Sequence, residues 1–152
     1  MKLRKYQSAD CEKLAQLFYD TVHTINARDY SQTQLDAWAT GYVDLSVWDK
    51  SFLEHVTVVV EKNGKIAGFG DMDDEGYLDR LFVHKDYQGK GIAAAIVAFL
   101  EEQATNRGIT RFTTHASITA RPFFKKQGYQ VLRENVAIRY GVELKNYIME
   151  KK

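Results

Sequence analysis

The stretch LFVHKDYQGKGIAA, residues 81–94, passes from an apolar, strand-like run into a helical pattern through two glycines that flank Lys90. Gly89 and Gly91 supply the backbone angles of a sharp turn, and without Cβ atoms they let a ligand touch the main chain. The first N–H groups of the helix that follows have no partner within it. Several such groups aimed one way, at the positive end of a helix dipole, make an anion site. The segment reads as a cradle for phosphate oxygens with Lys90 as solvent-facing charge. For an isolated glycine pair, a bare turn is the plainer reading.

The rest of the chain supplies the context. Leu3–Tyr6 has strand character, and Asp10 is placed to cap a helix in which Leu14, Leu17, Phe18, Val22 and Ile25 recur at helical spacing. Ser31 with Gln34 forms a capping box for a second short helix, and Ser46–Glu54 suits a third. VTVVVEKNGKIAGFGDM then reads as two strands joined at Asn63-Gly64, with Val56–Val60 apolar or β-branched throughout, as in a strand covered on both faces. A third strand runs from about Tyr77 to Val83. After the glycines, Ile92, Ala95, Ile96, Phe99 and Leu100 line one face of a helix that ends near Asn106 to Gly108. A strand at Thr110–His115, a helix from about Thr119 to Gln127 and two final strands turning at RYGV complete the pattern. The fold class is mixed α/β (α+β): a mixed sheet with helices on both faces, within a single domain spanning residues 1–152.

Composition narrows the function. Lys and Arg number 21 against 20 Asp and Glu, a net charge of +1, and such a chain lacks the basic face of a dedicated nucleic-acid binder. No apolar run approaches membrane-spanning length, and MKLRKYQSAD lacks the apolar core and cleavage site of a signal peptide. A cytoplasmic protein is the expectation, with neither nucleic acid nor membrane as partner. The single cysteine, Cys11, has no partner for a disulfide; it reads as core rather than nucleophile. No Cys/His cluster has metal spacing, so no metal is expected.

Two phosphate-binding motifs are weak matches. A P-loop needs a lysine and a hydroxyl after its last glycine, whereas here Lys90 precedes Gly91 and Ile92 follows it. GKGIAA satisfies a dinucleotide fingerprint, but HKDYQ separates it from the strand end and no acidic residue closes the next strand, which ends TTHAS. QGKGIA instead fits the Gln/Arg-x-x-Gly-x-Gly/Ala motif of the GNAT superfamily of N-acetyltransferases. SITARPFFKKQGY resembles that superfamily's second cofactor segment, and the element order agrees along the whole chain. DYSQTQLDAWA, SITARPFF and GVELKNYIM together resemble a YafP-like bacterial branch.

The resemblance implies a mostly antiparallel sheet of about seven strands, with two splayed parallel central strands, Leu78–Val83 and Thr110–His115. It implies acetyl-CoA as acyl donor. The main chain of Leu81, Phe82 and Val83 would pair with the pantetheine arm as an added strand would. Amides of Gln88, Gly89, Lys90, Gly91, Ile92 and Ala93 would hold the diphosphate, and Ser117, Phe123 and Phe124 would lie along the arm. The implied reaction is direct attack by a primary amine of a small molecule or peptide within a ternary complex.

That chemistry needs a proton acceptor for the amine, a polarised carbonyl and a proton for the departing thiolate. Asp79 is the first candidate base, with Asp71 and Asp73 as alternatives, and the Val83 N–H is a candidate oxyanion donor. His115 closes the second splayed strand, and a histidine gains or loses a proton near neutral pH. The superfamily often carries a tyrosine acid in the second segment, where this chain has Phe123-Phe124. Tyr147, then Tyr129, are the replacement donors to consider, and a CoA-binding module with weak or no catalysis is the alternative function. His23, Tyr30 and Trp38 are the expected acceptor contacts. Leu144–Met149, if an exposed edge strand, could pair across a homodimer, and could equally be covered.

Overall fold

The computed structural model describes residues 1–152. Strand β1 (Lys2–Lys5) precedes three helices, α1 (Cys11–Thr24), α2 (Gln32–Trp38) and α3 (Leu45–Glu54). Strands β2 (Val56–Lys62), β3 (Lys65–Met72) and β4 (Tyr77–Val83) follow, then α4 (Ile92–Thr105), β5 (Phe112–Ser117), α5 (Arg121–Lys126), β6 (Gln130–Arg139) and β7 (Val142–Lys151). The seven strands form one sheet in the order β1-β2-β3-β4-β5-β7-β6. Every adjacent pair is antiparallel except β4 and β5.

Alternation along the strands builds two cores. Val58, Val60, Ala67 and Met149 pack with Ile92, Ile96, Leu100 and Phe124 on the α4–α5 face. Val59, Phe69 and Leu144 pack with Leu14, Phe18, Val22, Leu35 and Phe52 on the α1–α3 face. The valine run of β2 is covered on both sides, as its uninterrupted apolar character requires.

The helix caps follow local chemistry. Gln34 N–H donates to Ser31 Oγ at 3.2 Å and Ser31 N–H to Gln34 Oε1 at 2.8 Å, the reciprocal box expected at the start of α2. Asp10 stands at the start of α1 but caps no α1 amide through its side chain. Its carboxylate instead accepts two bonds from Arg4, each 2.8 Å, and the Gln7 N–H at 2.9 Å. The Arg4 guanidinium holds that carboxyl below the usual carboxylate range.

Three expectations shift. The strand placed at Thr110–His115 starts and ends two residues later, because the Ile109 N–H still donates to Ala104 O and keeps the chain in the turn after α4. Helix α5 is shorter than Thr119–Gln127, since the Ala120 N–H donates to Ser117 Oγ in a turn that precedes the helix. Leu144–Met149 is not an edge. β7 lies between β5 and β6, and the outer strand is β6, which turns at Tyr140-Gly141 to cover β7.

Gly70 permits α4 to sit close on the sheet: a Cβ there would lie 2.7 Å from Ile96 Cγ2 and 3.1 Å from Arg80 O. Replacing it with alanine is expected to cost about 1–3 kcal/mol through overpacking. A lowered urea midpoint at unchanged m-value would register that loss.

Candidate active site

The parallel pair β4–β5 is in register only at Tyr77↔Thr113 and Leu78↔Thr114. Just past Leu78 the partners of β4 on β3 jump from Met72↔Leu78 to Asp71↔Arg80, so Asp79 is the extra residue of a bulge. A bulge bends its strand and increases the twist, and here it turns β4 away from β5. Thr114 closes the vertex, its hydroxyl donating to Leu78 O at 2.9 Å.

Beyond the vertex one side of β4 has no strand partner. His84 N–H donates to Ala67 O, on the β3 side. By alternation Leu81 and Val83 direct their main-chain groups into the gap, while Phe82 faces β3. The Val83 carbonyl is occupied there by Gln88 Nε2 at 2.7 Å and Thr21 Oγ1 at 3.1 Å. Gln88 thus braces the loop through its side chain.

The gap opens into a cleft of about 1690 Å³ that runs between the N-terminal helices, the β4 and β5 ends and the start of α4. At the α4 end, Gly89 (φ 72°) and Gly91 (φ 79°) are left-handed, and a Cβ on either would meet nothing within 4 Å. Gly91 caps α4 with no side chain over its first turn. The amides from Gln88 to Ala94 donate to no protein acceptor. The glycine spacing thus yields an open turn with free amides ahead of a helix fourteen residues long, a geometry that suits an anion.

The expected residues divide. Leu81, Phe82, Val83, Gln88, Gly89, Gly91, Ile92, Ala93, Ser117, Phe123, Phe124, Asp79, His115, Tyr30 and Trp38 all line the cleft. Lys90 is exposed outside it. His23 is not in the wall either: its Nε2 lies 2.8 Å from Ala39 O and its ring stacks on Tyr19 at 4.2 Å, tying α1 to the end of α2. Tyr147 packs in the α4–α5 core, where Arg121 lies 4.6 Å over its ring, and is absent from the cleft wall, to which β7 gives Leu144, Lys145 and Asn146. Tyr129 is buried in the same core and donates to Glu101 Oε2 at 2.8 Å. Cys11 is buried, with its sulfur 3.6 Å from Leu45 O.

Of the three candidate bases, only Asp79 reaches the cleft. Asp73 Oδ1 accepts the Glu75 and Tyr77 N–H groups in the turn before β4. Asp71 is fully buried and accepts from Arg80 Nη2 (2.5 Å), Arg80 Nε (3.0 and 3.2 Å) and lies 2.8 Å from His55 Nδ1. Burial, reinforced by the neighbouring Asp71 charge, pushes the Asp79 carboxyl above its ordinary value. The bond to Asp71 raises His55. Burial pushes the phenol of Tyr77, which meets the His115 ring edge-on at 5.4 Å, up to about 12.

The Tyr30 hydroxyl is spent on structure: it donates to Lys145 O at 2.6 Å and accepts the Ile118 N–H at 3.0 Å. Its ring meets Trp38 edge-on at 5.4 Å, leaving an aromatic wall on the side of the cleft formed by the N-terminal helices. Tyr77, Thr114, His55 and Arg80 escaped sequence reasoning, which named Asp71 only as an alternative base. A charged residue in a strand was the one available signal, at Arg80, and the bulge that turns it inward has no local sequence mark.

Comparison with known proteins adds an independent line. Residues 26–151 match the family described as an acetyltransferase (GNAT) domain. The chain is 30% identical to the N-acetyltransferase YafP of Escherichia coli (strain K12) over 152 residues, covering 100% of this chain and 96% of that protein. It superposes with a TM-score of 0.95 on a GCN5-related N-acetyltransferase from Rhodopseudomonas palustris, 30% identical, covering 99% and 94% of the two chains. The fold also matches the PaiA N-acetyltransferase of Thermoplasma acidophilum in complex with coenzyme A: TM-score 0.81, 18% identity, 99% and 98% coverage.

His55 binds its proton more tightly in the folded chain than in the unfolded one. Its contribution to stability is therefore complete below the ordinary histidine value of about 6.5 and lost as pH rises through the folded value. Urea midpoints of the wild-type chain are expected to fall across that window, and those of His55→Gln to fall less.

Proposed function

We propose, from the premise that this chain belongs to the GNAT acetyltransferase family, that it moves an acetyl group from acetyl-CoA to a primary amine of a small molecule or peptide. The observation that carries this reading is the run of unspent amides from Gln88 to Ala94 beside a strand whose outer edge is unpaired.

The wall suits coenzyme A along its length. The amides at the start of α4 match a diphosphate, and the Leu81 main chain matches the amides of a pantetheine arm. Phe123 and Phe124 supply an apolar flank. Thr119 Oγ1, on the same wall, is buried without a hydrogen-bond partner, and a polar atom in that state is suited to a ligand amide. Acetyl-CoA supplies the acetyl group as a thioester.

The chain's own residues supply the rest. The Val83 N–H points into the gap and is the donor available to a carbonyl oxygen there. Asp79 sits at the vertex, in the cleft, with its carboxyl raised by burial. A carboxylate raised in this way is a stronger base for an ammonium proton than a solvated one. Trp38, Tyr30 and Trp48 line the acceptor side, where aromatic faces attract an amine cation before it loses its proton.

A second reading, a CoA-binding module with weak catalysis, is favoured by Phe124. It is 3% exposed, packs against Tyr129 at 5.2 Å and has no proton to give. Tyr77, protonated at neutral pH and in the cleft, is the phenol placed to take that part.

Gly91→Trp fills open space in the cradle and strains a left-handed position, at about 1–2 kcal/mol. Titration calorimetry of the folded variant is expected to show acetyl-CoA binding abolished; retained affinity would remove the cradle assignment. Asp79→Asn is expected to lower kcat about 10²–10³-fold with cofactor affinity unchanged. Thiol release against a panel of amines measures this, and no release from the wild-type chain with any amine would favour the binding module.

A further inference from the structure

Four charged or titratable side chains meet behind the vertex. One ligand atom from each of His55, Asp71 and Asp79 lies within 4.8 Å of the others. Arg80 lies among them, with its guanidinium over the rings of Phe52 (4.1 Å) and Trp48 (5.1 Å) and Nη2 donating to Ser51 Oγ at 2.7 Å. Those contacts and the bonds to Asp71 commit Arg80. It stands 3.7 Å from Asp79 Oδ2, beyond hydrogen-bond reach. Asp71 takes the hydrogen bonds of Arg80, and Asp79, at ion-pair distance from the same guanidinium, is the carboxylate of the array that faces the cleft. Protonated His55 is the further positive charge that restores balance across the four.

We propose that His55 is a positioning residue: through Asp71 and Arg80 it holds the Asp79 carboxylate at the cleft vertex in its ionised, proton-accepting form. The inference rests on the reading of Asp79 as the base. His55 touches neither the cleft wall nor any reacting atom. It acts as a charge fixed behind the bulge, 19% exposed itself, on a carboxylate 37% exposed, so that solvent screens part but not all of the effect.

The groups that act on Asp79 come from several elements. Arg80 and Tyr77 lie on its own strand, Asp71 and Asp73 on or just after β3, and His55 at the junction of α3 and β2. Arg139 of β6 and His115 of β5 lie beyond Tyr77. His55 itself faces Asp71, Asp79 and Arg80. The carboxylates and burial favour a protonated Asp79; Arg80 and His55 oppose them. Arg80 keeps its charge at every working pH. His55 is the cationic partner whose charge changes with pH.

The direction of the effect follows. With a neutral side chain at position 55, Asp79 takes up its proton at higher pH. In His55→Gln the acid limb of kcat/KM is expected to move upward, and activity on the acid side to fall roughly three- to tenfold. The ratio of variant to wild type should approach one at alkaline pH, where wild-type His55 is itself neutral. A merely structural role would depress the ratio equally at all pH values.

The test pairs that profile with carbon NMR titration of the Asp79 carboxyl. An upward move of both the carboxyl titration and the acid limb supports the proposal. A carboxyl titration that stays in place overturns it, whatever the rates do. If the carboxyl moves and the limb does not, the base assignment of Asp79 fails while the coupling to His55 stands. Should His55→Gln not fold, the wild-type chain decides. A second inflection of the Asp79 carbon at the pH where the His55 ring titrates supports the coupling, and its absence overturns it.

Discussion

The departure of β4 from β5 after two residues of parallel pairing is the constraint from which the site follows. Sheet strands normally exhaust their main-chain donors and acceptors on their neighbours. Here the bulge at Asp79 ends that pairing inside the sheet rather than at its edge, and Leu81 and Val83 are left facing a gap. A buried strand edge is costly unless something hydrogen-bonds to it. The chain satisfies one group itself, since Gln88 and Thr21 bind the Val83 carbonyl. The others stay available in a cleft large enough for an extended ligand.

The same bulge arranges the electrostatics. By adding one residue to β4 it puts Arg80 on the α3 face, over Phe52 and Trp48, and leaves Asp79 at the vertex. Asp71 is fully buried, yet its charge is met by a guanidinium and an imidazole. Removing one member of such an array costs more than the array contributes, because the remaining charge stays buried without a partner. Backbone geometry and charge placement thus share one origin, and the cleft gains both an open main chain and a carboxylate.

Much of this was legible in residue order. The QGKGIA loop, its flanking strand and its apolar helix mark the open turn with free amides, because glycine backbone freedom and unpaired helix amides are local properties. The Ser31–Gln34 box and the strand pair around Asn63-Gly64 were readable for the same reason. Less was legible where alternation had to be counted across a sheet. Tyr147 is an amphipathic residue on a late strand, and only the folded packing shows it under Arg121 in the α4–α5 core rather than in the cleft wall. His23 is one turn from cleft-lining Tyr19 on α1 and is claimed by Ala39. The strand order that buries β7 behind β6 depends on a pairing with β5, which no local pattern marks.

Residue order by itself determined the element sequence, the open glycine turn ahead of α4 and the family, because each depends on short-range periodicity, turn chemistry or a contiguous motif. Tertiary structure alone decided which aspartate reaches the cleft, which tyrosines are spent on the core, and that His55, Asp71 and Arg80 converge behind Asp79. Those outcomes are set by a bulge and by strand register, where one residue of slip reverses the face that every following side chain presents. No single segment holds that information, since each strand takes its register from its neighbours.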